Sequence, residues 1–215
     1  SGNALDILDI LDALGEDWKA VGVFDDTRTA GSGFAGIPVL GRLDSAATMA
    51  APGGPLDGAL FVNAIASERT HQRKATIIAS TGLAAERFAT LVHPLAAVSR
   101  SAVLGHGVCI GPGSAMSGRV TIEDHAWIGA HVVIGHDALV GAGATLAPAV
   151  TLAGGVQLGA LSYVGSGAVL RPGIVVGSGA MIGLGAVVLR DVPAQAVMIG
   201  NPARPLERAA LSERA

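Results

Sequence analysis

The second half of the chain decides its fold, and residues 122–158 of it read IEDHAWIGAHVVIGHDALVGAGATLAPAVTLAGGVQL. An aliphatic residue returns at every sixth position of this stretch, and glycine often follows it. The same period extends in both directions without interruption. It covers sixteen positions: Val98, Leu104, Ile110, Met116, Ile122, Ile128, Ile134, Val140, Leu146, Leu152, Leu158, Val164, Leu170, Val176, Ile182 and Val188.

A six-residue period predicts a solenoid with a triangular cross-section. Each hexapeptide forms one side, with its aliphatic side chain inside and a small residue where the backbone bends. Three sides make an 18-residue coil, and successive coils stack at strand spacing, about 4.8 Å. Hexapeptide periodicity of this kind is a signature of the parallel β-helix. Residues 98–188 therefore predict about five coils.

The first half follows a different rule, in which helical and strand-like segments alternate. Such alternation favours a parallel sheet, and we predict a small Rossmann-like domain over residues 1–92. The β-helix domain then covers residues 93–215, with a short terminal helix or tail over Leu206–Arg214. The predicted helices are Ala4–Leu14 and Ser67–Thr81, and the predicted strands are Trp18–Phe24, Leu60–Ile65 and Phe88–Val92, with a Gly- and Pro-containing loop over residues 31–38.

Composition excludes several classes of function. A net charge of −3 and an aromatic content of 3% provide neither the basic surface nor the stacking platforms of a nucleic-acid-binding protein. The stretch between Asp137 and Arg171 carries no charge, but its glycines and its six-residue period indicate a buried core, not a membrane span. A single cysteine, Cys109, and the lack of a signal-like segment lead us to expect a cytoplasmic protein.

Four stretches resemble the hexapeptide-repeat sugar O/N-acyltransferase family, which includes sialic acid O-acetyltransferases and bacillosamine and perosamine N-acetyltransferases. The resemblance covers essentially the whole chain and implies a left-handed β-helix, a homotrimer, acetyl-CoA as co-substrate and a nucleotide-linked sugar as acceptor. The stretches are the helix start at Gly2, VGVFDD (21–26) with GIPVLG (36–41), LVHP (91–94), and GHD (135–137) with LAGGV (152–156) and GNPAR (200–204).

His136 is the predicted general base. Residues 18 apart are stacked neighbours in the coil, so His136 should lie between Gly118 and Gly154, where no side chain fills the space around the imidazole. Histidine is the usual base at neutral pH, and the family's catalytic histidine matches this position. The resemblance also assigns to the Gly154 N–H the role of donor to the thioester oxygen, which would place it beside acetyl-CoA.

Asp137 allows two interpretations. Neighbouring side chains of an extended segment point to opposite faces, which argues against contact with His136. Arg119 lies one coil away and offers an inter-coil ion pair. The resemblance instead gives Asp137 a catalytic role in tuning the histidine.

The resemblance also implies ligand-binding residues. Arg204 would reach a phosphate of CoA, and Asp25 and Asp26 would bind the nucleotide at the end of a strand, where α/β domains place ligands. Gly2 and Asn3 would approach the sugar, although the family often has histidine at the position of Asn3.

The predicted activity is thus acetyl-CoA-dependent N-acetylation of a UDP- or GDP-linked 4-amino sugar by a cytoplasmic homotrimer, without membrane insertion. Three alternatives remain: O-acetylation of a sugar such as sialic acid, an inactive trimeric scaffold, and a gamma-type carbonic anhydrase. The last is disfavoured. His131 and His136 have the spacing of its zinc ligands, but the third ligand would fall at Leu95. No metal is expected.

Overall fold

A computed structural model of the protein describes residues 2–206. Its amino-terminal region begins with a 13-residue helix and continues with a three-stranded sheet and short helical turns. The elements are α1 (Gly2–Leu14), β1 (Val23–Phe24), β2 (Gly33–Phe34), β3 (Ile37–Gly41), α2 (Ala46–Met49) and α3 (Lys74–Ala79), with 3₁₀ turns at Leu43–Ser45, His71–Arg73 and Ala85–Arg87.

The rest of the described chain winds into a parallel β-helix with three faces. Face 1 contains Leu91–Val92, Cys109–Ile110, Trp127–Ile128, Thr145–Leu146, Tyr163–Val164, Met181–Ile182 and Val197–Ile199, closed by antiparallel Arg204–Pro205. Face 2 contains Ala97–Val98, Ala115–Met116, Val133–Ile134, Thr151–Leu152, Val169–Leu170 and Val187–Val188. Face 3 contains Val103–Leu104, Thr121–Ile122, Leu139–Val140, Gln157–Leu158 and Val175–Val176.

The pairing register is the one that the six-residue period predicts. From Leu91 to Val188, each strand pairs with the strand 18 residues away, as in Ile128 with Leu146 and Ile134 with Leu152. The last strand breaks this spacing, since Met181 pairs with Val197. Apart from Val98 and Leu104 at the open first coil, all of the periodic aliphatic side chains are buried. They form one continuous core inside the triangle, and this burial drives the stacking of the coils.

The amino-terminal region packs against the outside of face 1. Ile7, Ile10 and Leu11 of α1 are buried against Cys109 and Trp127, the outward side chains of two neighbouring strands. Within residues 2–206, only face 1 is covered in this way, and faces 2 and 3 keep large apolar side chains exposed. The coverage of one face determines which corners of the solenoid remain open.

Several sequence-based expectations for this region need correction. Only Val23–Phe24 of the predicted strand 18–24 is a strand, and the predicted strand 60–65 makes a single parallel bridge, between Phe61 and Phe88. The predicted helix 67–81 is reduced to the turn His71–Arg73 and α3, and the predicted loop forms the hairpin of β2 and β3. Local periodicity therefore did not predict the bounds of these segments.

The predicted terminal helix or tail over Leu206–Arg214 lies, apart from Leu206 itself, outside the described residues. Among residues 2–206, no helix is long and apolar enough to cross a membrane.

Candidate active site

His136 lies on the corner between faces 2 and 3, which we call the His136 corner (turns 117–120, 135–138, 153–156 and 171–174). Its turns are tied together by a backbone ladder that runs along the solenoid. The Asp137 N–H donates to the Gly118 carbonyl at 3.1 Å, and the Gly155 N–H donates to the His136 carbonyl at 2.8 Å. The corner is therefore rigidly held from both neighbouring coils.

Asp137 has a left-handed backbone conformation, with φ of 59°. Aspartate is one of the few residues other than glycine that adopts this conformation readily. The turn brings its carboxylate to the same side as the preceding imidazole, and His136 Nδ1 lies 2.6 Å from Asp137 Oδ2. The expectation that the two side chains diverge is wrong, because it assumed an extended segment.

Arg119 also binds Asp137, so this acid forms the inter-coil ion pair and contacts His136 at the same time. Arg119 Nε donates to Asp137 Oδ1 at 2.6 Å, and Nη2 donates to Oδ2 at 2.9 Å. The hydrogen bonds from Arg119 are the largest cause that lowers the pKa of Asp137, and the hydrogen bond from His136 is the next. Together they bring that pKa to about 2. The carboxylate thus stays ionised throughout the physiological range.

The imidazole of His136 lies directly over Gly154, one coil further on. A Cβ atom placed on Gly154 would come 2.7 Å from His136 Nε2, closer than real contacts allow. A Cβ on Gly118, one coil back, would touch only Ser101 Oγ, at 3.4 Å. Of the two glycines that the stacking argument selects, Gly154 is therefore the one that makes room for the ring. The backbone N–H of Gly154 donates to no protein group within residues 2–206.

Two other histidines also lie over glycines, so this feature alone does not distinguish His136. A Cβ on Gly107 would come 2.5 Å from His125 Nδ1, and a Cβ on Gly113 would come 2.5 Å from His131 Nδ1. The salt bridges of the described chain include one histidine–carboxylate pair, which is His136 with Asp137. The side chain of His136 is also 70% exposed and so can meet a substrate.

The predicted nucleotide-binding acids lie just after β1, but both carboxylates are used locally. Asp25 accepts hydrogen bonds from the N–H and hydroxyl of Thr27, at 2.8 and 2.6 Å. Burial acts to raise the pKa of Asp25, but these bonds and the charge of Arg28 outweigh it and hold that pKa below its usual value. Asp26 accepts from the Leu43 N–H at 2.9 Å.

Asn3 lines a cavity of about 350 Å³ between α1 and face 1. Its side-chain amide donates to the Ala64 carbonyl at 3.3 Å. The remaining walls are mostly apolar, but they also include Asp6, Asp9, Thr145 and Tyr163. Thr145 is buried, and its hydroxyl has no partner in the described chain. Sequence analysis missed this cavity because it forms only when α1 docks on the solenoid.

The other predicted residues lie elsewhere. Gly2 has open space around it, and Arg204 is exposed and donates to the neighbouring Ala203 carbonyl at 2.9 Å. Neither lines the α1 cavity or contacts His136. Within residues 2–206, no group of three or more His, Cys, Asp or Glu side chains is placed to hold a metal ion.

Comparison with known proteins supports a fold of hexapeptide repeats. The bacterial transferase hexapeptide family (six repeats) matches residues 119–154, a segment that contains Arg119, His136, Asp137 and Gly154. No curated protein matches the chain.

Solved structures match over nearly the full length. PerB from Caulobacter crescentus, in complex with CoA and GDP-perosamine, is 31% identical over 96% of this chain and 94% of its own, with a TM-score of 0.82. The acetyltransferase domain of PglB from Neisseria gonorrhoeae, in complex with acetyl coenzyme A, is 29% identical over 96% and 95%, with a TM-score of 0.81. WeeI from Acinetobacter baumannii, at 23% identity over 96% of both chains and a TM-score of 0.80, shares the fold.

An α/β region followed by a left-handed parallel β-helix of hexapeptide coils, with a histidine–aspartate pair on an open corner, defines a hexapeptide-repeat transferase. The chain belongs to the hexapeptide-repeat sugar O/N-acyltransferase family and is an acetyltransferase. The fold class and the family expected from the sequence are thereby confirmed.

Proposed function

We propose that this protein transfers the acetyl group of acetyl-CoA to the amino group of a nucleotide-linked amino sugar, directly and with His136 as general base. The observation that carries the proposal is the 2.6 Å contact between His136 Nδ1 and Asp137 Oδ2. Relatives crystallised with CoA and GDP-perosamine, or with acetyl coenzyme A, support the donor and the class of acceptor.

The contact with Asp137 gives His136 the tautomer that the reaction needs. An ionised carboxylate only accepts hydrogen bonds, so Nδ1 carries the proton and Nε2 keeps its lone pair. Nε2 is the ring atom that lies against Gly154. It would take the proton of the attacking amine as the nitrogen adds to the thioester carbonyl carbon.

Charge then develops on the thioester oxygen, and the Gly154 N–H is the proposed donor to it. When the tetrahedral intermediate collapses, the carbon–sulfur bond breaks, the amide forms, and the CoA thiolate takes the proton held by the imidazole. All atoms are accounted for without a covalent enzyme intermediate. Arg204, exposed near the end of the described chain, is the proposed contact to a CoA phosphate.

The acceptor would be held by the amino-terminal region, over residues 1–92, of a neighbouring copy in the homotrimer proposed below, because this region lies on face 1, opposite the His136 corner of its own chain. Residues 93–215 form the acyltransferase domain. Asn3 lines the α1 cavity, which supports an approach of the sugar there, with Gly2 beside it. Asp25 and Asp26 follow β1 and are the proposed contacts to the nucleotide. We place the reaction in the cytoplasm.

We also propose a homotrimer. Face 2 and face 3, which flank His136, expose apolar side chains: Val133 is 45% exposed, Val169 41% and Val175 44%. A second copy of the chain would cover them, and a groove between copies would hold the pantetheine arm next to His136. Replacement of Val133 and Val169 by Glu should yield monomers in light scattering and abolish transfer.

The test of the function is a thiol-release assay with acetyl-CoA and a panel of UDP- and GDP-linked 4-amino sugars, wild type beside His136→Ala. We expect turnover with one amino sugar that collapses in the variant. Turnover only with free sialic acid or another hydroxyl acceptor would replace N-acetylation by O-acetylation. The absence of thiol release with any acceptor would refute the proposal.

A further inference from the structure

We propose that Arg119 is a positioning residue of the acetyl-transfer reaction. Its guanidinium clamps the Asp137 carboxylate, which in turn holds His136 in the tautomer with a free Nε2. The kinetic consequences of this inference rest on the proposed function, but the position and tautomer of the imidazole do not. Arg119 itself would not touch the substrate.

The geometry of the clamp is that of a fork. Nε and Nη2 of Arg119 reach the two different oxygens of Asp137, at 2.6 and 2.9 Å, and bidentate pairing fixes the plane of a carboxylate as well as its position. Oδ2 is the oxygen shared with His136 Nδ1. Rotation of the carboxylate away from the imidazole would therefore break two hydrogen bonds to Arg119 as well.

The backbone of Arg119 is anchored from the coil before it. Its N–H donates to Ser101 Oγ at 3.0 Å, and its φ of 58° repeats the left-handed conformation of Asp137 one coil later. Ser101, Arg119 and Asp137 thus form a stack along three coils. The stack links the orientation of the imidazole to the register of the solenoid.

Stability does not account for this arrangement. The side chain of Arg119 is 72% exposed and that of Asp137 42% exposed, and ion pairs exposed to this degree contribute little to folding. An exposed clamp on the acid that contacts the proposed base is instead what catalysis by a pre-oriented imidazole requires.

The clamp also balances charge. Within residues 2–206, Arg119 and His136 are the charged groups that lower the pKa of Asp137. Asp137 is the charged group that raises the pKa of Arg119. Loss of Arg119 would leave an uncompensated anion beside the imidazole and favour its protonated form. Loss of the Asp137 charge would leave the Arg119 cation near the imidazole and favour the neutral form of the imidazole. The two losses should therefore move the pH dependence in opposite directions.

The test compares Arg119→Met, Arg119→Lys and Asp137→Asn in the full chain, with exposed Arg69→Met as the matched control. For Arg119→Met we expect kcat to fall on the order of 10-fold, with little change in the KM for acetyl-CoA or in the KM for the acceptor. The acid limb of the kcat/KM profile should move up by roughly half a pH unit. Asp137→Asn should move that limb down. Arg119→Lys should restore the limb but only part of kcat, because lysine keeps the charge without the fork.

A second readout does not depend on turnover. In ¹⁵N-histidine-labelled protein, wild type should have His136 with Nδ1 protonated, and Arg119→Met should give a mixture of tautomers. An unchanged tautomer and an unchanged acid limb would overturn the inference, as would an effect confined to the KM for acetyl-CoA, which would make Arg119 a CoA contact. If no acceptor reacts with wild type, the proposed function fails and the tautomer measurement alone decides on Arg119.

Discussion

His136 and His125 each lie over a glycine on a corner of the solenoid, yet their environments are opposite. His136 lies on an exposed corner and is paired with Asp137. His125 lies where face 3 meets face 1, its ring edge-on to Phe88 at a centroid distance of 4.7 Å. Burial is the largest cause that lowers the pKa of His125, and its Nδ1 has no partner in the described chain. The same repeat unit thus supports either chemistry or packing, depending on what covers it.

The difference originates outside the repeat. Phe88 precedes the first coil, and the buried Lys74 of α3 is close enough to His125 for its charge to lower that pKa further. Nothing in the described chain covers the His136 corner in this way. The docking of the amino-terminal region therefore closes the corner of His125 and leaves the His136 corner open.

The largest effect is expected when His136 and His125 are each replaced by alanine. His136→Ala should lower kcat by roughly 10²–10⁴, the usual contribution of general base catalysis, while the melting temperature stays close to wild type because the side chain is exposed. His125→Ala should keep kcat and lower the melting temperature, since it removes the contact with Phe88. Steady-state assays and thermal melts of both variants provide the check. The reverse pattern would reassign the base to His125.

The second prediction concerns the space that Gly154 leaves for the His136 imidazole. Gly154→Ala places a methyl group 2.7 Å from His136 Nε2, so the imidazole must shift and kcat should fall on the order of 100-fold. Stability should change little, because the ring is exposed and can move. Gly118→Ala is the matched control, as its methyl group would make only an ordinary contact with Ser101. Equal losses in the two variants would show that the Gly154 contact has no special role.

The smallest effect concerns Lys74, on the side of the solenoid that the amino-terminal region covers. It is expected in stability, not in turnover. Lys74 is fully buried and its ammonium has no partner in the described chain. Burial lowers its pKa to about 7. Between pH 7 and about 10 the unfolded chain binds a proton that the folded chain does not, so the free energy of unfolding should rise with pH, by at most about 1.4 kcal/mol per unit.

Lys74→Met should flatten this slope and raise the free energy of unfolding at pH 7 by about 1–4 kcal/mol. Denaturant titrations between pH 7 and 9 measure both quantities. Lys19→Met is the matched control, because Lys19 is exposed and its replacement should leave the slope unchanged. An equal slope in wild type and Lys74→Met would mean that the buried amine finds a partner, such as an ordered water.

The sequence predicted the solenoid because its register repeats. Each aliphatic position has the same neighbours 18 residues away, so one local rule applied many times defines the strands, the core and the stacking of His136 on Gly154. The conflict over Asp137 could not be settled in this way. An extended conformation and a left-handed turn orient the side chain differently, and the φ of 59° is visible only in the structure.

The amino-terminal region shows where sequence reasoning stops. Its strands are two to five residues long and pair irregularly, so periodicity in a short window could not define them. The cavity beside Asn3, the burial of Lys74 and the coverage of His125 by Phe88 all arise from contacts between the amino-terminal region and the solenoid. No repeat or motif encodes those contacts.

By itself, the sequence determined the β-helix, because its contacts repeat at a fixed sequence separation. The resemblance of short motifs indicated the family and supplied His136 as the proposed base. The tertiary structure decided that Asp137 faces both His136 and Arg119, that Gly154 and not Gly118 makes room for the ring, and that one histidine corner is open while another is closed. Those outcomes depend on turn conformation and on contacts between segments far apart in the chain, for which the sequence carries no periodic signal.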